Sequence, residues 1–143
     1  MYKYFKDSEL QCSHCGNTYM DEEFMRKIEA LRESLGFPFI VSSAYRCKEH
    51  PLEATKKTTG AHVQGRAMDI RASGEKALRL VTEATAAGFT GVGLKQKGNG
   101  RFVHLDDLDS PSRPTIWSYQ PVYLIEDCNG EHQILFAFLL QSF

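Results

Sequence analysis

The sequence has no apolar run long enough to cross a membrane and no excess of charge of either sign. Its 143 residues include 17 Lys and Arg against 18 Asp and Glu, for a formal net charge of −1. Acids and bases are interspersed, so the chain lacks the basic blocks typical of nucleic-acid and membrane-surface binders. We therefore predict no nucleic-acid partner and no membrane insertion.

The first residues also lack the apolar core of a signal peptide. Residues 1–7 contain two lysines and an aspartate in place of an unbroken apolar run. We therefore expect a soluble product made in the cytoplasm. Internal repeats and low-complexity tracts are absent, and a chain of this length predicts one domain with a single core.

Two histidines and an aspartate are the candidates for a metal site. His62 and Asp69 lie close together in sequence, and His104 follows later. A hydrolytic zinc site commonly has three nitrogen or oxygen ligands from the protein, at about 2.0–2.2 Å, and an open position for water. These side chains would supply that number. The alternative is that each is an ordinary hydrogen-bonding or capping residue, because their spacing is less specific than a His-Glu-x-x-His signature.

The predicted secondary structure would bring these three residues together. Residues 67–70 are apolar around a single acid and indicate a short strand, and a glycine before them allows a turn. Residues 101–105 form a second β-prone run. We therefore expect Asp69 and His104 on neighbouring strands of one sheet, with His62 in the preceding loop.

The motifs around these residues resemble those of a peptidase superfamily. The pattern His-x-x-Gly-x-Ala-x-Asp at 62–69 follows Ser-Ala-Tyr-Arg at 43–46 and precedes Phe-Val-His-Leu-Asp at 102–106. In this order the motifs are similar to those of the zinc D-alanyl-D-alanine carboxypeptidases and related phage endolysin peptidases. These enzymes share their fold with the hedgehog signalling domain. The resemblance runs from about Phe5 to Tyr119.

This resemblance implies a zinc metallopeptidase that hydrolyses peptidoglycan stem peptides. The reaction would be that of a D-Ala-D-Ala carboxypeptidase or of an endolysin-type endopeptidase. The resemblance also implies Zn²⁺ as the cofactor, held by His62, Asp69 and His104. Because no signal peptide is evident, such a protein would need a separate route of release to reach the cell wall.

Arg46 is a predicted catalytic residue outside the ligand set. It follows a strand predicted over residues 37–43, and its planar fork of donors suits a terminal carboxylate or a polarised carbonyl. A surface ion pair is its alternative role. The predicted substrate contacts are Ser43, Arg46 and Gln64.

The motifs do not fix the general base. Many related peptidases have an acid three residues, or a histidine two residues, before the last zinc histidine, where this chain has Arg101 and Phe102. Asp106 would share a face with His104, because side chains at i and i+2 of a strand point the same way. Asp106 would then act as the base, or orient His104 by accepting its second N–H.

Glu49 and His50 are the remaining candidates for the base. Both lie in a polar segment, residues 47–61, which predicts a long loop at the entrance to the site. If the chain has no competent base, it would instead be a non-catalytic zinc-containing module that binds cell-wall peptides, with Arg46 as one anchor.

Three cysteines allow several interpretations. Cys12 and Cys15 form a Cys-x-x-Cys pair, and Cys47 is distant in sequence. A structural metal clip completed by His14 or His50, a disulfide, and free thiols are all compatible with this spacing. Free thiols are the default for a protein made in the cytosol.

Caps and apolar periodicity predict two principal helices. Residues 22–35 carry apolar residues at helical spacing between Asp21, a good N-cap, and Gly36, a good terminator. Residues 75–87 predict a second helix after Ser73. Its predicted packed face consists of Leu78, Val81 and Thr85.

The predicted fold is a single α+β domain of the hedgehog/DD-peptidase type. It has a small, mostly antiparallel sheet, two main helices and a zinc site on one face. Residues 1–119 would form the peptidase-like domain, with further strands at 89–94 and 115–119. Residues 120–143 would be a C-terminal apolar hairpin, because Asn-Gly separates two apolar runs. The hairpin would cover a sheet edge or form a dimer contact, and Cys128 within it has no predicted role.

Overall fold

The computed structural model describes residues 1–119, 124–126 and 132–134. The helices are α1 (Asp7–Leu10), α2 (Glu22–Leu35) and α3 (Gly74–Ala86). The main sheet consists of β1 (Ile40–Ser43), β2 (Ala67–Arg71), β3 (Gly91–Lys95), β4 (Phe102–Asp106) and β5 (Thr115–Ser118). Its strand order is β1-β2-β4-β3-β5, in which β3 and β5 are parallel and the other neighbours are antiparallel. The predicted α+β fold is confirmed.

Helix α2 has the boundaries and caps that its sequence predicts. The side chain of Asp21 accepts a hydrogen bond from the backbone N–H of Phe24 at 2.9 Å, which caps the first turn. Gly36 ends the helix with φ of 71°, a left-handed conformation that glycine adopts without strain. The apolar face of α2 lies in the core through Phe24, Met25, Ile28, Leu31 and Leu35.

Helix α3 packs through a different face from the predicted one. Leu78 is 68% exposed and Thr85 is also exposed, so the prediction that they pack is wrong. Val81 is partly buried against the core. The short side chains of Ala77 and Ala84 let α3 lie close to α2 and β4. The buried residues of α3 are Ala77, Leu80 and Ala84.

Strand β1 lies at an edge of the sheet and is shorter than predicted. It begins at Ile40, which is 60% exposed, whereas Phe39 before it is buried. The register with β2 shifts between Val41 and Ser43, which places Ser43 opposite Asp69. This irregularity brings the end of β1 next to the acid at the centre of β2.

The C-terminal strands form a separate two-stranded sheet. β6 (Leu124–Glu126) and β7 (His132–Ile134) pair in antiparallel fashion. Cys128 and most of the predicted hairpin lie outside the described residues. The domain boundary at residue 119 and a dimer contact through the hairpin stay predictions. Among the described residues, no helix combines the length and apolar character needed to cross a membrane.

Candidate metal centre

Asp69 and His104 are direct partners in the sheet. β2 and β4 pair in antiparallel fashion with Asp69 opposite His104, so both side chains leave the same face. His104 Nδ1 lies 2.8 Å from Asp69 Oδ1. The expectation that these residues occupy neighbouring strands is confirmed.

His62 reaches the same point from the loop before β2. Its Nε2 lies 3.3 Å from Asp69 Oδ1, and its Nδ1 donates to the carbonyl oxygen of Ala44. The loop turns at Gly65, where φ is 69° and an added Cβ would collide with the backbone at Tyr19. Glycine at this position therefore allows the loop to carry His62 to the sheet.

The three side chains form a compact donor set. One donor atom from each of His62, Asp69 and His104 lies within 4.8 Å of the other two, and all three residues are buried. The second nitrogen of each histidine has its own acceptor: Ala44 for His62, and Asp106 for His104 at 3.0 Å. These contacts orient one nitrogen of each ring toward the shared space, as in metal sites.

The protonation states are strongly perturbed at this centre. Burial alone would raise the pKa of Asp69, but hydrogen bonds from His104 and His62 lower it well below its usual range. Burial lowers the pKa of His62. Burial also opposes charge on His104, but its bonds to Asp106 and Asp69 raise its pKa. These shifts favour an ionised Asp69 and a neutral His62, as metal ligands require, whereas His104 would have to release a proton on binding a metal ion.

Arg46 is a partly buried member of the centre and not a surface ion pair. Its side chain is 13% exposed, and each guanidinium nitrogen has an oxygen acceptor. Nε donates to Ser43 Oγ at 2.9 Å, Nη1 to Glu53 Oε1 at 3.1 Å, and Nη2 to Asp69 Oδ2 at 3.0 Å. Arg46 therefore holds the second oxygen of Asp69. Glu53 is 5% exposed, and no motif in the sequence marks it.

Asp106 shares a face with His104, as its spacing predicts. It is also bound by Arg113, a residue that the sequence analysis did not single out. Arg113 donates to both of its oxygens, from Nε at 2.8 Å and from Nη2 at 2.6 Å. Burial alone would raise the pKa of Asp106, but hydrogen bonds from His104 and Arg113 lower it well below its usual range. This fully buried carboxylate is better suited to orienting His104 than to accepting a proton.

A cavity of about 740 Å³ opens beside the donor set. The loop of residues 47–61 contributes part of its wall, as expected, and Ser43 and Arg46 also line it. Gln64 does not line the cavity, and its side-chain N–H donates to the carbonyl oxygen of Thr59. The other lining residues include Leu52, Lys56, Gly60, Arg71, Phe102, Arg113, Trp117 and Tyr119.

Glu49 and His50 are not brought to the cavity. His50 Nε2 lies 3.3 Å from Ser13 Oγ, and its Nδ1 accepts from the backbone N–H of Leu52 at 3.1 Å. Both ring nitrogens are therefore engaged elsewhere. The structure gives neither Glu49 nor His50 the position that the base would need.

Two aromatic side chains, Trp117 in β5 and Tyr119 just after it, complete the wall of the cavity. The ring of Trp117 lies 5.1 Å from that of His104, centroid to centroid. Gly93 makes room for it, because an added Cβ there would lie 2.7 Å from the indole. Trp117 and Tyr119 were not singled out in the sequence analysis, although their i and i+2 spacing in a predicted strand would have indicated that they share a face.

The chain matches a known family over most of its length. The model of the Peptidase M15 family matches residues 3–106. This range contains the donor set and Asp106, and it ends before Arg113 and Trp117. Comparison with curated proteins gives no significant match. Because the family match extends over far more than half of the chain, the protein belongs to the Peptidase M15 family, in the zinc D-Ala-D-Ala carboxypeptidase-like superfamily.

Proposed function

We propose that this protein is a zinc metallopeptidase that hydrolyses peptidoglycan stem peptides. Membership of Peptidase M15 supports peptide hydrolysis. The structural observation that carries the proposal is the donor set of His62, Asp69 and His104 at a cavity, with donor atoms within 4.8 Å of one another. Two imidazoles and one carboxylate, with space for water beside them, fit a hydrolytic zinc site.

Zinc bound by these residues would activate a water molecule and polarise the scissile carbonyl. The surrounding side chains would keep the ligands in place. Asp106 orients His104 and is itself held by Arg113, whereas Arg46 fixes the outer oxygen of Asp69. Such supporting contacts commonly change metal affinity or activity by about 10–100-fold.

The charge of the cavity supports a substrate that carries a carboxylate. Two carboxylates line it, Asp69 and Asp106, and both are paired with cations. The lining cations are Arg46, Lys56, Arg71 and Arg113, and since Arg46 and Lys56 also pair with Glu53, one positive charge remains in excess. A stem peptide presents a terminal carboxylate, which such a cavity would attract. The apolar wall around Trp117 would contact the small side chains of the peptide.

A non-catalytic zinc-containing module that binds cell-wall peptides is the second candidate. The observation that favours it is that no free general base is evident among the described residues that line the cavity. The carboxylates there are Asp69 and Asp106, and the oxygens of both already accept hydrogen bonds. A peptide would then bind beside Arg46 without being cleaved.

Incubation of the zinc-loaded protein with intact peptidoglycan and with a D-Ala-D-Ala peptide tests the proposal. Mass spectrometry should show loss of one D-Ala for a carboxypeptidase, or release of larger fragments for an endopeptidase. His62→Ala is the control, and it should fold, lose the zinc of this site and give no products. Retained binding to peptidoglycan without cleavage by the zinc-loaded wild-type chain would support the binding module instead.

The single tryptophan provides a separate measure of metal binding. Because Trp117 lies against His104, zinc at this centre should change its fluorescence. The change should be saturable in the wild-type chain and absent in His62→Ala. This titration distinguishes an inactive protein that binds zinc from one that does not bind it.

A further inference from the structure

A second group of cysteine and histidine side chains, residue types that commonly bind zinc, lies outside the cavity. The sulfur atoms of Cys12 and Cys47 are 3.7 Å apart, and the sulfur of Cys15 lies within 4.8 Å of both. His14 Nδ1 is 3.3 Å from Cys47 Sγ. None of these four residues lines the cavity beside His62, so the group is separate from the proposed active site.

Two separations within this group match those of a tetrahedral zinc site. Zn–S bonds of about 2.3 Å at tetrahedral angles separate two sulfur ligands by about 3.8 Å, and a sulfur from a nitrogen ligand by about 3.5 Å. In the structure, the corresponding separations are 3.7 Å between Cys12 Sγ and Cys47 Sγ and 3.3 Å between Cys47 Sγ and His14 Nδ1. A disulfide requires about 2.0 Å between its sulfur atoms. The three thiols are free of disulfides in the structure.

The backbone also shapes this group. Gly16 follows Cys15 with φ of 75°, and its N–H donates to the carbonyl oxygen of Cys12 at 2.8 Å. This turn folds the Cys-x-x-Cys segment back on itself. The backbone N–H of Cys47 donates to Cys12 Sγ at 3.3 Å. A sulfur that accepts such a bond is stabilised as the thiolate, the form that binds metal.

We propose that Cys12, Cys15, Cys47 and His14 bind a structural zinc ion. Three sulfurs and one imidazole form a closed set of four ligands, which leaves no position for a substrate or a reactive water. We take His14 as the fourth ligand because its Nδ1 is 3.3 Å from Cys47 Sγ, and a movement of its exposed side chain would bring it closer to Cys12 and Cys15. The alternative, His50, has both ring nitrogens engaged away from the cysteine sulfurs.

This ion would connect the N-terminal segment to the chain that leaves β1. Cys47 directly follows Arg46, which holds the outer oxygen of Asp69. The two segments already contact each other, since the N–H of Tyr45 donates to the carbonyl oxygen of Leu10 at 3.1 Å. The second zinc would therefore stabilise the segment that positions Arg46.

Cobalt substitution tests the proposal without an activity assay. Cobalt bound by thiolates gives an intense sulfur-to-metal charge-transfer band in the near ultraviolet, which a site of two histidines and an aspartate does not give. We expect the band in the wild-type chain and in His62→Ala. Cys15→Ser changes an exposed residue, so it should fold and greatly weaken the band. A wild-type chain without the band, or a band that Cys15→Ser leaves unchanged, would overturn the proposal.

Zinc content and a matched pair of histidine variants complete the test. We expect two zinc ions per wild-type chain and one in either Cys15→Ser or His62→Ala. His14→Ala should weaken the charge-transfer band and lower the affinity for the second zinc, whereas His50→Ala should change neither. Loss in His50→Ala with retention in His14→Ala would overturn the assignment of His14. One zinc per wild-type chain together with the band would support the cysteine site while contradicting the proposed active site.

Discussion

Asp69 and His104 face each other across neighbouring antiparallel strands, with Oδ1 and Nδ1 2.8 Å apart. Hydrogen bonds of the sheet fix the backbone beneath both residues, so their approach does not depend on a loop. His62 does come from a loop, but its ring is held by the carbonyl of Ala44. Two of the proposed zinc ligands are therefore positioned by the sheet, and the third is positioned by a backbone carbonyl.

Asp106→Asn tests whether Asp106 orients His104 or acts as the base. Because Asp106 is fully buried and bound by Arg113, we expect about 10–100-fold weaker zinc affinity with kcat largely retained at saturating zinc. Competition titration and steady-state kinetics separate these quantities. Normal zinc affinity with abolished hydrolysis would instead identify the base. Asp109→Asn, at an exposed position, is the control.

Arg46→Lys tests the fork of hydrogen bonds beside Asp69. A lysine keeps the charge but cannot reach Ser43, Glu53 and Asp69 together, so the carboxylate of Asp69 should be less well oriented. We expect stoichiometric zinc and a fall in kcat/KM of at least about 10-fold. Arg26→Lys, on the exposed side of α2, should have wild-type kinetics. Equal kinetics in both variants would contradict the positioning role of Arg46.

The sequence predicted the parts of the fold whose signals are local. The caps of α2 and the apolar periodicity between them are encoded within about 15 residues, and the structure agrees with them. The face of α3 was mispredicted because Leu78 is larger and more apolar than Ala77. Which of the two residues is buried depends on how closely the helix approaches its neighbours. Local periodicity gives no information about that distance.

The residues that support the metal ligands were also not predictable from local sequence patterns. The placement of Asp69 and His104 on adjacent strands follows from two short β-prone segments, but their register depends on the whole sheet. Arg113 reaches Asp106 from the connection between β4 and β5, and Glu53 reaches Arg46 from an irregular loop. Neither contact has a regular spacing, so periodicity could not reveal it.

Two glycines of β3 should affect different parts of the site when replaced. An added Cβ at Gly91 would collide with the carboxylate of Asp106, and one at Gly93 would lie 2.7 Å from the indole of Trp117. Neither glycine has a positive φ, so alanine would act through lack of space. Each substitution should destabilise the fold by about 1–3 kcal/mol.

The two alanine variants serve as controls for each other. Gly91→Ala should weaken zinc affinity, because it displaces the carboxylate that orients His104. Gly93→Ala should mainly alter tryptophan fluorescence and raise KM, since it moves the cavity wall. Fluorescence and zinc titrations of both proteins check this, and identical effects would show that the two contacts act only through general stability.

Asp107 should contribute to stability without affecting the metal centre. It points away from Asp106 and accepts hydrogen bonds from Arg66 at 2.9 and 2.7 Å and from Lys27 at 2.8 Å. These bonds connect α2 and the loop before β2 to the end of β4. Charged hydrogen bonds of this kind contribute about 1.5–3 kcal/mol, but Arg66 and Lys27 are partly exposed, and solvent screens them.

Asp107→Asn should therefore lower the free energy of unfolding by about 1–2 kcal/mol. Urea denaturation measures this loss, which should shrink at high salt because the pairs are partly exposed. Zinc stoichiometry and the charge-transfer spectrum with cobalt should remain those of the wild type. Comparison with Asp106→Asn is decisive, since the two acids are adjacent in sequence and lie on opposite faces of the chain. A loss of zinc affinity in Asp107→Asn as large as that in Asp106→Asn would mean that the metal centre responds to the stability of this region as a whole.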